Sequence, residues 1–327
     1  MLKRMRPELA GRIDDALLFK LETKFSGSSD FELEEAWIGT ELGSDARLML
    51  GRMKAPFGLE EVRSRRYIDF PNFSILTQFA PAEDLGVFVN GRDGIFEYGV
   101  AAYNGTGTSD TNSSKDVAAR VMAHPFDDSS MLENLGVGVA ATVGTQNASV
   151  AGDAIDNAMG LPVIMFAPGT MLDGDRRRLG FEFQWYDGPY FVQSEYMTLD
   201  QDMTGGEVGF SGAYLNVSTV LTGEDKDYSG VTPRSPFSFK DGTGEGAWIA
   251  ALRISHLDID DAVAGLAVPG TFTDSIDSIS LGLNWVPNNH AIVRHSLVRS
   301  SYDDSVSLGS GSSDGETALL IEFQLHF

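Results

Sequence analysis

Apolar and polar residues alternate along most of this chain with a period of two. Segment 16–25 (ALLFKLETKF) puts Leu17, Phe19, Leu21 and Phe25 on one face and Lys20, Glu22 and Lys24 on the other. Segment 179–186 (LGFEFQWY) sets Leu179, Phe181, Phe183 and Trp185 against Glu182, Gln184 and Tyr186. Segment 319–327 (LLIEFQLHF) sets Leu319, Ile321, Phe323, Leu325 and Phe327 against Glu322, Gln324 and His326. Such alternation marks strands with one apolar and one wet face. The strands run about ten residues, a length that crosses a bilayer when tilted, whereas soluble strands average about five or six. Aromatic residues gather near strand ends, as in the girdles of a membrane barrel. Trp248, Trp285 and Phe327 are accordingly expected to be membrane-interface anchors, Phe327 at the C-terminus.

The connections alternate in length. Short ones fall at 14–15, 43–45, 91–93, 187–189 and 287–289; long ones at 54–83, 105–114, 146–175 and 259–273. Segment 222–244 breaks the rule, being long on the short-turn side. Short turns at one end and long loops at the other belong to bacterial barrels. The fold expected is all-β, a transmembrane antiparallel β-barrel of about sixteen strands. About fifteen strands can be counted in the sequence, and closed single-chain barrels have even numbers. A first strand and a signal peptide are therefore expected to lie outside this sequence, whose opening MLKRMRPEL is basic but has no apolar core.

Composition narrows the class. No composition break divides residues 1–327, which read as one domain, and no cysteine is present for thiolate metal sites or disulfides. The formal charge of -23, from 47 acidic against 24 basic residues, opposes binding to nucleic acid. Disorder, the usual alternative for an acidic chain, is opposed by 42% hydrophobic and 10% aromatic residues. No run of eighteen apolar residues could form a transmembrane helix, so a membrane role requires strands.

Candidate chemistry is confined to charged residues at chosen parities. Segment 54–83 is too long for a turn and holds Arg63, Arg65 and Arg66 among Phe57, Leu59, Tyr67 and Phe70. Folded inward, these guanidiniums would offer charge-assisted bonds to carboxylate or phosphate; the alternative is a solvated outer loop. Arg52 and Lys54 share parity at one strand end; Arg176 and Arg178 share parity with Glu182 and Gln184; Arg253 shares parity with Ser255. A lipid-facing arginine costs roughly 2–4 kcal/mol near the midplane, which favours the lumen or the interface for all five. Pairing with wall carboxylates is the competing role, and Lys20, Glu22 and Lys24 read as such a ladder. The Asp clusters lack calcium-loop spacing and read as solvated loops, and the five histidines form no metal motif. No metal or cofactor is expected. His295 and Ser296 point to opposite faces of a strand, so no nucleophile–base pair supports catalysis.

Four stretches, in order along the chain, resemble the phosphate-selective porin O/P family of outer-membrane channels. RLMLGRMKAPFGLE (47–60) is similar to the family's strand and turn into its third loop, and RRRLGFEFQWYDGPYFVQSEY (176–196) to its central hairpin. Segment 221–257, opening LTGEDKDY and closing GAWIAALRISHL, and the hairpin from GLNWVPNNHAIVRHS to FQLHF complete the set. The resemblance implies a sixteen-stranded barrel in the bacterial outer membrane, usually trimeric, with lipid and lipopolysaccharide around it and loops folded into the lumen. It also implies passive diffusion of small phosphate-like anions or small polar solutes, without catalysis or cofactor. The acidity of the chain departs from an arginine- and lysine-lined pore and keeps a non-selective or cation-preferring channel open. A barrel enzyme and a soluble β-sandwich are the more distant rivals.

Overall fold

The computed structural model describes residues 3–14, 16–27, 30–107, 113–126, 131–308 and 311–326. Its strands are β1 (Arg4–Met5), β2 (Glu8–Ile13), β3 (Leu17–Ser26), β4 (Asp30–Leu42), β5 (Ala46–Lys54), β6 (Glu83–Asp93), β7 (Phe96–Tyr103), β8 (Asp116–Ala123), β9 (Gly136–Ser149), β10 (Ala154–Asp156) and β11 (Pro162–Met165). They continue with β12 (Met171–Asp187), β13 (Tyr190–Met203), β14 (Gly206–Val220), β15 (Lys226–Asp227), β16 (Gly230–Val231), β17 (Ala247–Ile259), β18 (Ser275–Asn288), β19 (Ala291–Leu308) and β20 (Gly311–Leu325). Sixteen of them form one antiparallel sheet in chain order; the hairpins β10–β11 and β15–β16 stand apart.

β1 and β2 lie end to end along β3, Arg4 opposite Ser26 and Glu8 opposite Glu22. Sixteen strand segments thus make fifteen staves, the number counted in the sequence. The sheet is a transmembrane β-barrel. Its two ends approach each other, for Lys3 and Arg4 come within electrostatic range of Glu322 on β20. Phe327, the expected C-terminal anchor, lies outside the described residues.

The pleat sorts side chains as the alternation required. On β9, Val137, Val139 and Val143 are exposed while Ala140, Thr142 and Gln146 are buried. On β18, Leu281 is 53% exposed and its neighbour Ser280 5%. An apolar surface continued from stave to stave is a lipid-facing surface, with the polar face turned to the lumen.

Two boundaries differ from the sequence reading. β9 and β12 extend to Ser149 and Met171, which pair, so that connection spans only 150–170. The turn expected at 91–93 sits later, because β6 continues to Asp93, paired with Phe96. Connection 150–170 carries the β10–β11 hairpin and is tied to connection 260–274 by a bridge between Phe166 and Ala267. Ile155, Val163, Ile164 and Val263 of these connections join inward-facing Phe210, Ile276 and Tyr302 in the main apolar cluster. The long-loop end of the barrel is therefore partly filled from above.

Candidate functional site

The connection between β5 and β6 does not leave the barrel. Its residues Phe57, Leu59, Glu60, Arg63, Asp69, Phe70 and Leu76 are all buried, so the segment passes through the lumen. Glycines on the inward parity of the wall make room for it. A Cβ at Gly180 would stand 3.3 Å from the Phe57 ring, one at Gly282 3.2 Å from Phe70, and one at Gly212 3.3 Å from Leu76. The helical turn α1 (Leu59–Val62) begins after Gly58, whose φ of 79° suits glycine. Its first free N–H groups, on Leu59 and Glu60, donate to the Glu195 carboxylate of the wall at 2.5 and 2.9 Å. Glu60 accepts in turn from Ser74 N at 2.7 Å and Thr77 Oγ1 at 3.1 Å, which folds the segment back upon itself.

Wall arginines hold this loop. Arg253 donates to Glu60 and, at 3.1 Å, to the carbonyl of Asn72. Arg178 donates to the carbonyl of Phe79 at 2.6 Å and to Thr142 at 3.3 Å. Arg176 instead ties the β7–β8 connection and β8 to the wall, pairing with Asp116 at 2.6 Å and donating to Gly105 O at 2.7 Å. Arg294, fully buried, donates to Ile68 O at 3.0 Å and Arg66 O at 2.8 Å and pairs with Glu322 at 2.5 Å. Sequence reasoning passed over Arg294, although its hairpin register places it opposite Glu322. Arg120, also passed over, meets Glu182 and Glu97 at 2.7 and 3.0 Å.

A second segment enters from the opposite end. Part of connection 221–246 forms the β15–β16 hairpin and inserts into the lumen, where Lys226 is buried. Lys226 pairs with Asp69 of the first loop and donates to Ser218 Oγ at 2.6 Å. Reciprocally, Arg63 of the loop donates to the Tyr228 carbonyl of the hairpin connection at 2.9 and 3.1 Å. Its guanidinium lies 4.9 Å from both the Phe191 and Tyr228 rings. The two inserted segments therefore grip each other. Burial alone would raise the Asp69 carboxyl, but Lys226, Arg63 and the Asn216 amide outweigh it and hold it below the usual carboxylate range. The acidic stretch expected to be solvated is only partly so, because Glu224 is buried and accepts from Thr222 Oγ1 and Arg234 N.

The remaining candidates separate by position. Arg52 alternates with buried Met49 and Met53 and shares parity with exposed Leu50, which places it on the outward face. Its guanidinium donates to Leu33 O at 2.8 Å and Gly107 O at 2.6 Å, a strand-end role in place of the expected lumen one. Lys54, at the last position of β5, reaches Glu61 through the carbonyl at 2.5 Å and the carboxylate at 3.4 Å. Arg65 stacks at 3.6 Å over Phe73, and no hydrogen bond or ion pair holds its guanidinium among the described residues. Burial, then Arg4 and Arg6, bring Arg65 down to about 10, so it is still a cation at neutral pH. Arg66 is half-buried, and its Nε has no hydrogen-bond partner among the described residues. Trp248 and Trp285 stack at 6.0 Å, and Trp285 meets Phe237 at 5.2 Å. Trp285 shares parity with exposed Leu281 and Leu283, so this aromatic patch faces outward at the short-turn end.

The wall from β1 to β4 is polar and partly solvated, with Glu22 and Glu34 buried and Glu8 and Glu32 open. Lys20 meets Glu22, Glu35 and Glu8 at 2.9, 3.0 and 3.4 Å; Lys24 meets Glu32 and Glu34 at 2.6 and 2.9 Å. Arg6 joins Glu22 and Glu34 at 3.3 and 3.1 Å, which completes a ladder of mixed sign.

A barrel with a lipid-facing outer surface, a charged inner wall and a loop folded through its lumen is an outer-membrane channel. The chain belongs to the phosphate-selective porin O and P family, whose model matches residues 1–327. It is a porin, and its place is the outer membrane. Among solved structures it is similar to OmpT of Vibrio cholerae in its trimer form, at 12% identity and a TM-score of 0.56 over 96% of this chain and 86% of that one. OmpF of Salmonella typhi in complex with daunomycin gives 11% identity and 0.58 over 98% and 89%. The anion-selective porin of Comamonas acidovorans gives 13% identity and 0.55 over 96% and 82%. No curated protein matches the chain significantly.

Proposed function

We propose that small anions diffuse passively through this barrel along the solvated space between the inward loop and the β1–β4 wall. The observation that carries the reading is Arg65. Its guanidinium is half-buried inside the barrel, holds no hydrogen bond or ion pair among the described residues, and lies within electrostatic range of Arg4 and Arg6 and of Glu61 and Glu60. By contrast Arg63, Arg178 and Arg253 are engaged with carboxylates and carbonyls and so position the loop that sets the path, while Arg176 is engaged with Asp116 and the Gly105 carbonyl. An unpaired cation at a narrow, low-dielectric passage raises the local anion concentration. At about 6 Å in water, one charge is worth roughly 0.7 kcal/mol to a passing ion, a factor of about three in permeability ratio. Membership in a phosphate-selective family supports the same preference.

Reversal potential in a planar bilayer under a KCl gradient tests this. The wild-type channel is expected to prefer chloride, and Arg65→Gln to lose roughly threefold of that preference. Cation preference in the wild type sinks the reading. A second reading, a non-selective or cation-preferring channel, draws on the excess of acids in the ladder, where Glu8, Glu22, Glu32, Glu34 and Glu35 face Arg6, Lys20 and Lys24. The porin trimer named above supports a homotrimer here, and the outward aromatic patch of Trp248 and Trp285 suits lipid and lipopolysaccharide neighbours.

A further inference from the structure

We propose that the second half of connection 221–246 is a lipid anchor, which inserts Phe237 and Phe239 into the phospholipid leaflet at the short-turn end of the barrel. The first half of this connection, the β15–β16 hairpin, enters the lumen. The second half turns the other way, over the rim and onto the outer wall. There Phe237 N donates to Pro287 O at 2.7 Å, and Trp285 Nε1 donates to Glu245 O at 2.9 Å. Both ends of the segment are thus fixed to β18.

Between those ends the chain makes a closed turn. Ser238 N donates to Thr243 O at 2.7 Å, and Gly242 N to Ser238 O at 2.8 Å. Ser238 Oγ donates to the Asp241 carboxylate at 2.9 Å and accepts from Asp241 N at 3.2 Å. The turn answers its own polar groups and leaves an apolar ring open, for Phe239 is 63% exposed. Residues 232–234 join this turn to the hairpin in the lumen, and Arg234 N donates to the buried Glu224 carboxylate at 3.2 Å. An anchor here therefore holds the outer end of the segment whose inner end grips the loop.

Continuity with the lipid-facing wall selects the occupant. The Phe239 ring lies 5.1 Å from Phe237 and 6.1 Å from Trp285, and Phe237 lies 5.2 Å from Trp285. Trp285 shares parity with exposed Leu283, and Trp248, stacked on it, shares parity with exposed Ile254. The two phenylalanines extend that outward surface past the ends of the strands, to the depth where aromatic rings meet the bilayer interface. Lys240, exposed beside Phe239, suits the headgroup phosphates at that level, where a long cationic side chain keeps its stem on apolar surface and its charge in water.

The chain has no cysteine, so a single introduced cysteine carries an environment-sensitive fluorophore at one known place. Phe239→Cys labelled with nitrobenzoxadiazole is measured in vesicles of phosphatidylethanolamine and phosphatidylglycerol, with doxyl-labelled phospholipid or aqueous iodide as quencher. Leu283→Cys on the lipid face is the apolar reference. Asp225→Cys, exposed in the same connection, is the aqueous one and reports any tendency of the fluorophore itself to enter lipid. The label at position 239 is expected to emit to the blue of that at 225, to be quenched by doxyl lipid as at 283, and to be spared by iodide. Iodide quenching equal to that at 225 places the tip in water and overturns the proposal. Shielding from both quenchers means that a neighbouring chain covers the tip, and overturns it too. A second variant, labelled Lys240→Cys, keeps both rings. Adding Phe237→Ser and Phe239→Ser to it is expected to lower doxyl quenching and raise iodide quenching, and equal quenching with and without the rings overturns the proposal even if Phe239→Cys does not fold.

Discussion

Replacing Lys226 by methionine tests whether the hairpin and the inward loop hold each other. Lys226 and Asp69 have side-chain exposures of 1% and 3%, so the variant leaves a carboxylate in a site closed to water. Removing one partner of a buried ion pair costs about 3–5 kcal/mol. The protein can escape that cost in two ways. Asp69 can take up a proton, which for a carboxyl of ordinary pKa near 3.9 costs about 4 kcal/mol at pH 7 and about 1.5 kcal/mol at pH 5. Or the β15–β16 hairpin can withdraw, against Arg63 on the Tyr228 carbonyl and the backbone N–H of residue 226 on the Gly188 carbonyl at 2.8 Å. At pH 7 the two costs are comparable, and withdrawal opens space in the lumen. Single-channel recording of Lys226→Met is thus expected to show larger, noisier conductance at pH 7 that returns toward the wild-type level at pH 5. The double variant Lys226→Met with Asp69→Asn carries no orphan charge and is expected to return most of the way at pH 7. Conductance of Lys226→Met equal to wild type at both pH values, or a double variant no quieter than the single one, would refute the reasoning.

Other consequences follow from the same packing. Gly180→Leu puts a side chain where the Phe57 ring closes to 3.3 Å, so the loop is expected to lift, with higher conductance and a loss of about 1–3 kcal/mol in thermal stability of the detergent-folded barrel. Arg253→Met and Glu60→Gln are expected to be non-additive by about 0.5–3 kcal/mol in that same melting assay, since the two share one buried contact. Asp69 has a folded-state value below the unfolded one near 3.9, so its clamp contributes fully above about pH 4 and is lost only as pH falls through the lower folded value. Wild-type conductance noise is therefore expected to be flat from pH 4 to 8 and to rise only in stronger acid.

The staves were legible because lipid and water impose opposite demands on alternate residues, and a period of two survives any detail of pairing. Arg176 and Arg178 were placed on the inward parity from Glu182 and Gln184 alone, and both are buried there. Arg52 shows the limit of the same reasoning. Parity with Lys54 does not tell the two faces apart, whereas parity with Leu48 and Leu50 decides the face. The inward hairpin was hidden for a different reason. LTGEDKDY is rich in acids and reads as a solvated turn, and nothing nearby announces that Lys226 meets Asp69, 157 residues away. Partners that far apart are joined by the closing of the barrel, which local pattern does not encode.

That closure also explains why an excess of acids does not settle what passes through. Within the lumen, Arg120, Arg176, Arg253, Arg294 and Lys226 each sit against a carboxylate. A pair in contact presents a dipole whose field falls away faster than that of a charge, so such pairs shape the passage and contribute little to its sign. The -23 formal charge of the chain then bears on the loops and on encounter from solution, where salt screens it over about 8–10 Å. Sign inside the barrel is left to the charges without a partner, and on the loop, among the described residues, these are Arg65 and Arg66. Two variants separate entry from selectivity. Neutralising an acid on the long-loop end, such as Asp261, is expected to change the salt dependence of solute entry without moving the reversal potential, whereas Arg65→Gln is expected to move the reversal potential at every salt concentration.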